Sequence, residues 1–245
     1  MALPLVAAFL AGCGGGGDDA GPAANVAEAA GVWKGSTDAQ RDLTALLLSD
    51  GSYYLVYSAA GKPLATGGFV YGTASVDAGA FTSANGIEYN LEGNGTTAPV
   101  LTVAAAPVTG EVRRRDAFNG SIRPGAAGTV AFQTEPDAYG LPLLGELAGS
   151  YGGTVSFALG DRPATFSVTR AGEVSSVINE CRISGTVTPR KDINAYDLTI
   201  MFGGPPCVIP SNFVFTGVAY LSGGRLVAAV RNTTIQQAIV FAGQR

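Results

Sequence analysis

The sequence contains no histidine among its 245 residues. Histidine is the side chain whose charge changes near neutral pH, and it is the commonest metal ligand and a frequent general base. Its absence excludes Ser–His–Asp triads, histidine general bases and histidine metal sites. Carboxylate, lysine, tyrosine and serine chemistry remain possible.

Charge is also scarce. Charged residues make up 14% of the chain and the formal net charge is −4, whereas soluble domains typically carry roughly 25% charged residues. The one basic run, Arg113-Arg114-Arg115, could contact lipid phosphate or an acidic partner, but a solvated turn or strand end is the simpler interpretation. Because nucleic acid requires a basic face, we expect no nucleic-acid partner.

Motifs for catalysis are missing as well. No Gly-Lys-Ser/Thr phosphate loop follows the glycine run Gly14–Gly17. The few lysines, among them Lys34, Lys62 and Lys191, lie outside any Ser-x-x-Lys motif that could activate a serine. The sequence therefore predicts no catalytic residue, no metal ligand and no cofactor, and we expect the protein not to be an enzyme.

The N-terminus carries the clearest motif of the chain. The apolar run Ala2–Leu10 is too short for a bilayer span, which needs roughly 20 residues, but it suits the core of a signal peptide. Leu10-Ala11-Gly12-Cys13 follows directly, and these four residues resemble the lipobox of bacterial lipoproteins. That resemblance implies removal of residues 1–12, diacylglycerol on the thiol of Cys13, and an acyl chain such as palmitate on its new amino group.

Residues 13–27 read as a flexible lipidated tether, because glycine-rich and small residues are typical of linkers. Gly14 follows the cysteine where an aspartate would favour the inner membrane of enterobacteria. By resemblance to that sorting rule, we expect a lipid anchor in the outer membrane, with the protein facing the periplasm or the cell surface. Signal peptides begin with positive charge, which is lacking here, so we expect the true start upstream of Met1. The alternative is a buried apolar strand with a chance cysteine.

The two remaining cysteines, Cys181 and Cys207, form an even pair in an oxidising compartment, which suggests a disulfide. The segment between them reads as a hairpin, with strands over 182–189 and 196–202 and a turn over 191–194. A hairpin brings its ends together, so the bridge is geometrically plausible. A redox or metal pair is the alternative, although neither cysteine lies in a Cys-x-x-Cys arrangement.

An internal repeat organises the rest of the chain. Glu28–Gly35 matches Glu146–Gly153, 118 residues later, and further matches follow in the same order. The repeat predicts two units, 28–137 and 138–245, each of a normal domain size. The further matches pair Asp50-Gly51 with Ala171-Gly172, Phe69–Thr73 with Ile183–Thr186, Val108–Val112 with Phe215–Ala219, and Thr129–Gln133 with Ala238–Ala242.

The fold class follows from composition and turn signals. Thirty-five glycines and many Val, Thr, Ser, Phe and Tyr residues favour short strands and tight turns. Asp50-Gly51 between apolar runs is typical of a hairpin turn. We predict an all-β protein of two tandem antiparallel meander units, small up-and-down barrels or sandwiches, with seven or eight strands each.

Two short segments carry further resemblances. Gly31-Val32-Trp33-Lys34-Gly35 resembles the first strand of lipocalin-like and avidin-like barrels, where an aromatic side chain would plug one barrel end. The stretch from Cys181 to Cys207 is similar to uncharacterised lipoproteins of proteobacteria. Neither resemblance implies an activity.

These observations favour a cell-envelope lipoprotein that serves as a non-enzymatic binding or interaction module. Besides the membrane, its partner could be an envelope protein or a glycan on an outer face. The alternatives are a carrier of a small apolar ligand within a barrel cavity and, less favoured, a carboxylate-based envelope hydrolase. A cavity of roughly 300 Å³ would favour the carrier, and two carboxyl groups about 5–10 Å apart in a cleft would favour the hydrolase.

Overall fold

The computed structural model describes residues 24–92, 101–125, 128–137 and 140–245. The predicted signal peptide, Cys13 and most of the predicted tether lie outside these residues. The described chain is almost entirely strand, as the all-β prediction requires. In chain order its elements are α1 (Val26–Ala29), β1 (Gly31–Thr37), β2 (Asp42–Leu47), β3 (Ser52–Ala59), β4 (Lys62–Thr73), β5 (Ser75–Asp77), β6 (Ala80–Ser83), β7 (Ile87–Asn90), β8 (Thr102–Ala105), β9 (Val108–Arg113), β10 (Ala117–Ile122), β11 (Val130–Pro136), α2 (Leu144–Leu147), β12 (Gly149–Phe157), β13 (Gly160–Val168), β14 (Glu173–Ile178), β15 (Cys181–Pro189), β16 (Tyr196–Phe202), β17 (Val214–Ser222), β18 (Arg225–Asn232) and β19 (Gln237–Gln244).

Strands β12 to β19 form a closed antiparallel barrel, hereafter the barrel. The strands follow one another in sequence order, and β19 pairs back with β12 to close the wall. β15 and β16 are the two strands predicted on either side of the turn at 191–194. The barrel is therefore an up-and-down meander, and the sandwich alternative does not apply to it.

Strands β1 to β11 form one curled sheet in the order β5-β6-β9-β10-β11-β1-β2-β3-β4-β7-β8, hereafter the curled sheet. β6 pairs with β9 and β7 pairs with β4, so residues 84–86 between them link the two sides of the sheet. The β6–β7 segment therefore takes the place that the single strand β16 has in the barrel. The β8–β9 segment, broken near Pro107, takes the place of β17, because proline cannot donate to a strand ladder. These breaks, with the added strand β5, explain why this unit has more strands than expected.

Residues matched by the repeat occupy equivalent positions. The Trp33 Nε1 donates to the carbonyl of Ala29 at 3.3 Å, and the Tyr151 hydroxyl donates to the carbonyl of Leu147 at 2.7 Å. Each acceptor is the last residue of a one-turn helix, α1 or α2. Both aromatic side chains are buried. Each unit thus has one end plugged by an aromatic ring beneath a short helix, and these are hereafter the plugged ends.

The glycines of the second match are equivalent as well. Gly51 and Gly172 have φ values of +85° and +83°, in the left-handed region that favours glycine. Each amide donates to the carbonyl three residues earlier, at Leu48 and Thr169, both at 3.0 Å. The same turn chemistry therefore starts the third strand of each unit.

The hydrophobic residues form three cores. One fills the barrel, the second fills the curled sheet, and the third lies between the two units. No residue of β12 to β15 belongs to the third core. The buried members of the third core are Val32, Leu46, Leu48, Tyr54, Val56, Phe69, Tyr89, Leu91, Ile193, Ala195, Val218, Tyr220, Ala229, Ala238 and Val240.

Polar contacts add to this joint between the units. Asp192 accepts hydrogen bonds from the amide and the hydroxyl of Ser49, at 3.0 and 2.8 Å. Arg190 holds the same carboxylate with two nitrogen atoms, each at 2.9 Å. The Arg231 guanidinium lies 3.5 Å from the ring centroid of Tyr71, within cation–π range. The contacts of Asp192 join the turn after β15 to the turn after β2, and the contact of Arg231 joins β18 to β4.

Candidate functional site

Aromatic side chains fill the space inside each unit. Tyr151, Phe166, Phe215 and Phe241 are buried in the barrel. In the curled sheet the rings of Phe81, Phe118 and Phe132 are in successive contact, with centroids 4.9 and 5.1 Å apart. Tyrosine side chains are likewise packed in the cores: Tyr53 and Tyr57 lie in the core of the curled sheet, and Tyr54 and Tyr89 lie in the core between the units.

A concavity with a volume of about 870 Å³ lies on the barrel wall and is lined only by residues of β12 to β15. It occurs where the barrel wall splits. β13 pairs with β14 only from Phe166 to Val168, although β13 begins at Gly160 and β14 continues to Ile178. On their other flanks both strands are fully paired, β13 with β12 and β14 with β15. We name this split the wall cleft.

Backbone groups are left without ladder partners at the wall cleft. Phe157 and Gly160 flank a two-residue turn, so the even-numbered residues of β13 bond to β12 and the odd-numbered residues face β14. Thr165 and Val177 would be the next hydrogen-bonded pair in register, but the ladder stops before them. Pro163 also occupies an odd position, where a free strand edge tolerates the missing N–H.

The side chains of the wall cleft come from both faces of the wall. Ser176 points inward and is only 6% exposed, yet its Oγ has no hydrogen-bond partner in the described structure. A buried hydroxyl without a partner is costly, which makes it a ready acceptor or donor for an incoming group. Arg182 supplies a cation. The lining consists of Gly152, Gly153, Pro163, Ala164, Thr165, Ser167, Ser175, Ser176, Val177, Arg182, Ile183 and Ser184.

A second concavity, of about 130 Å³, lies at the end of the barrel opposite α2; we name it the end pocket. Its floor is the barrel core, and its cover is the segment 203–213, which packs against that core through Ile209 and Phe213. A disulfide between Cys181 and Cys207 ties this cover to the first residue of β15, as the sequence predicts. The lining consists of Val155, Phe157, Leu159, Arg162, Ile178, Asn179, Cys181, Ile183, Phe202, Pro206, Val208, Ile209 and Ile239.

Ser222 lies beside Lys34, and a lysine beside a serine could activate that serine as a nucleophile. The Nζ of Lys34 lies 2.5 Å from the Oγ of Ser222 and 3.1 Å from a carboxylate oxygen of Asp137. Burial alone would lower the pKa of Lys34, but the nearby Tyr220 and Asp137 outweigh burial and raise it above its usual range. A general base must be neutral near the working pH, so this lysine is unsuited to activate the serine. The contact instead joins β1 to β17.

Two carboxylates come together at the end of the curled sheet opposite α1. Glu88 accepts a hydrogen bond from the Tyr57 hydroxyl at 2.8 Å, and Glu92 forms an ion pair with Arg41. Burial raises the pKa of Glu88, although the Tyr57 hydrogen bond and the Arg41 charge oppose this. Each carboxylate therefore already has a partner within the protein, and the cluster does not resemble a pair poised for hydrolysis.

The basic run noted in the sequence forms ordinary ion pairs within the protein. The basic run lies in and after β9, where Arg113 pairs with Glu111 at 3.1 Å and Arg114 with Glu28 at 3.7 Å. Among the described residues, no group of three His, Cys, Asp or Glu side chains is arranged to hold a metal ion. Within the same part of the chain, no helix is long and apolar enough to cross a membrane. The wall cleft was not predicted, and Pro163 within an otherwise alternating strand was its one signal in the sequence.

No protein-family model matches the chain, and no curated protein sequence matches it. Two solved structures are similar at low level. One is a provisionally assigned outer membrane protein from Bacteroides fragilis, with 14% identity, coverage of 91% of this chain and 100% of that chain, and a TM-score of 0.32. The other is the isotype 1 transferrin binding protein B from serogroup B Neisseria meningitidis, with 9% identity, coverage of 84% and 65%, and a TM-score of 0.30. Similarity this low carries no argument about ligands or partners.

Proposed function

We propose that this protein is an outer-membrane lipoprotein, anchored through Cys13, whose barrel binds an extended segment of another polypeptide at the wall cleft. It acts by binding and not by catalysis. The observation that carries the proposal is the interrupted ladder between β13 and β14, which ends at Phe166 and Ser176 and leaves the Thr165 amide without a ladder partner beside a concavity of about 870 Å³. A free strand edge is the natural acceptor for an added strand.

The chemistry of the cleft suits a polypeptide backbone. An extended segment offers alternating N–H and C=O groups, which match the odd-numbered backbone groups of β13. The orphaned hydroxyl of Ser176 and the guanidinium of Arg182 supply further hydrogen-bonding groups along the same groove. Pro163 removes one donor from this edge, which limits indiscriminate pairing with other strands.

The position of the cleft also suits a partner outside the protein. The chain enters the barrel at its plugged end, beside α2, and the first described residues pack at the plugged end of the curled sheet, where Ala24 accepts from the Gly79 amide at 2.8 Å. The lining of the wall cleft contains no residue of the curled sheet, so the cleft opens on the outside of the barrel. A lipid on Cys13 would be attached to the chain ahead of Ala24, at the plugged end of the curled sheet and not at the cleft.

Binding is tested by selecting displayed random peptides on the purified full-length protein and comparing two variants at one position. Thr165→Pro removes the backbone donor that faces the cleft, whereas Thr165→Val keeps it and loses only the hydroxyl. We expect selected peptides to bind wild type and T165V but to lose at least about tenfold in affinity, or 1.4 kcal/mol, on T165P. Failure to select any peptide, or equal binding to T165P, would contradict the proposal.

The anchor is tested separately in cells by metabolic labelling with a palmitate analogue. We expect the wild-type protein to carry label and to fractionate with outer membranes. Cys13→Ala removes the lipid-bearing thiol, so the variant should carry no label and leave the membrane fraction. Label retained in C13A, or absent from wild type, would overturn the anchor while leaving the peptide experiment unaffected.

A further inference from the structure

We propose that the end pocket is a separate binding site for one small hydrocarbon group, about the size of a benzene ring, held under the disulfide-tied cover. This inference does not depend on peptide binding at the wall cleft. The pocket differs from the wall cleft in size, chemistry and position, although both include Ile183 in their lining.

The size of the pocket sets the class of ligand. Its volume is about 130 Å³, close to the roughly 150 Å³ of an engineered apolar cavity that stays dry and binds benzene. Drug-sized ligands occupy pockets of roughly 300–1,000 Å³, so a whole ligand of that kind does not fit. The occupant is therefore one small hydrocarbon or the end of a longer apolar chain.

The chemistry of the lining agrees with that class. Ile178, Ile183 and Ile239 form an aliphatic floor that belongs to the barrel core. Phe157 and Phe202 contribute aromatic surface at the side. Burial of apolar surface is the main source of affinity that such a lining provides.

The lining of the pocket includes two exposed apolar side chains as well as the polar residues Arg162 and Asn179. Val208 on the cover is 73% exposed and Leu159 on the opposite turn is 44% exposed. Large apolar side chains at this exposure are unfavourable in water, and a bound hydrocarbon would cover part of both. An entering group therefore meets apolar surface before it reaches the floor.

The cover is held in place by two local devices. The disulfide fixes Cys207 to Cys181, and the amide of Gly203 donates to the carbonyl of Arg182 at 2.7 Å. The turn before Cys181 holds Asn179 and Glu180 at φ values of 47° and 68°. Positive φ at both residues of a two-residue loop is the conformation of a type I′ hairpin turn, which joins β14 directly to β15.

The experiment uses the full chain with Cys13→Ser, so that no attached lipid competes, and toluene as the probe. Methyl NMR should show saturable shifts that are confined to Val155, Ile178, Ile183 and Ile239. Octanoate is the second probe: shifts with both probes indicate that the pocket takes a chain end, and shifts with toluene alone indicate a free small hydrocarbon. Either result supports the site. No saturable shift with either probe overturns it.

Variants then locate the binding. Ile209→Trp fills the pocket from the cover and Leu159→Trp fills it from the rim, and each should weaken toluene binding at least about tenfold. Ile87→Trp, a similar change on β7 of the curled sheet, should leave binding unchanged. If I209W does not fold, as judged by its amide spectrum, L159W decides the question. Toluene shifts of wild-type size in the folded tryptophan variant would overturn the assignment.

Discussion

The two units have similar plugged ends and dissimilar opposite ends. Trp33 and Tyr151 each donate a hydrogen bond to the carbonyl four residues earlier, and the glycines of the matched turns share their backbone conformation. At the opposite end, the curled sheet has a buried polar cluster around Tyr57 and Arg41. The barrel instead has a split wall and an apolar pocket under a disulfide-tied cover.

This contrast separates residues that build the fold from those that distinguish one unit from the other. The shared end carries contacts that both units have in common, whether the sheet is closed or open. The differing end of the barrel offers unpaired backbone, an orphaned hydroxyl and exposed apolar side chains. The wall cleft and the end pocket that we propose as binding sites both lie in the barrel, and the predictions below test each side of the comparison.

The largest expected effects come from the plugged ends. Trp33→Ala and Tyr151→Ala each remove a buried aromatic ring, and we expect each to lower the free energy of unfolding by about 3–5 kcal/mol. Tyr151→Phe keeps the ring and loses the hydrogen bond to Leu147, so its cost should be about 1 kcal/mol. Urea titrations measure all three. A cost well under 1 kcal/mol for either alanine variant would show that the two ends are not equivalent.

Loss of the disulfide should destabilise the barrel and leave the curled sheet unchanged. We expect the double variant Cys181→Ser, Cys207→Ser to cost about 2–4 kcal/mol, because the unfolded chain gains freedom when the loop opens. Hydrogen exchange should show lost protection in the segment 203–213 and β15, with unchanged protection in β2 and β3. Equal loss of protection in both units would contradict this assignment.

The stability that the joint between the units contributes should depend on pH. Burial alone would raise the pKa of Asp192, but hydrogen bonds from Arg190 and Ser49 outweigh it and hold the pKa well below its usual range. The carboxylate therefore stabilises the folded state above the unfolded pKa of about 3.9, and this stabilisation is lost as the pH falls toward the folded value. Asp192→Asn should cost about 1–2 kcal/mol at pH 7.

The control for this variant is Asp116→Asn in the exposed turn after β9, a change that should have little effect on stability. Thermal unfolding between pH 7 and pH 3 gives both comparisons. If the cost of D192N is the same at pH 3 as at pH 7, the carboxylate charge does not hold the joint.

The smallest effect, and one of opposite sign, concerns Glu88 in the curled sheet. Burial raises the pKa of Glu88, so its charged form is disfavoured in the folded state and stability falls as the pH rises from the unfolded pKa of about 4.3. Glu88→Gln should therefore stabilise at pH 7, by less than about 1 kcal/mol, and have no such benefit at pH 4. Urea midpoints at the two pH values measure this. Destabilisation at pH 7 would show that the carboxylate charge is needed there.

Much of the fold was predictable because its signals are local. Turn glycines such as Gly51, strand alternation, and the pairing of Cys181 with Cys207 all depend on near neighbours or on one hairpin. The sequence does not predict that β6 pairs with β9 while the next strand, β7, pairs with β4. Pairing between distant strands leaves no periodic signal in the sequence. The wall cleft was missed for the same reason: the alternation of β13 is normal, and only the register with β14 shows that the ladder ends at Phe166.

Amide hydrogen exchange at the wall cleft tests the central claim most directly. In the free protein, the amide of Thr165 should exchange rapidly, because the bond that it would make in register with the Val177 carbonyl lies beyond the end of the ladder, whereas the amides of Ser167 and Ser175 should be protected by their mutual pairing. Adding a selected peptide should slow exchange at Thr165. If this amide were already as protected as those of Ser167 and Ser175 in the free protein, the wall would be continuous there and the proposed strand-binding site would not exist.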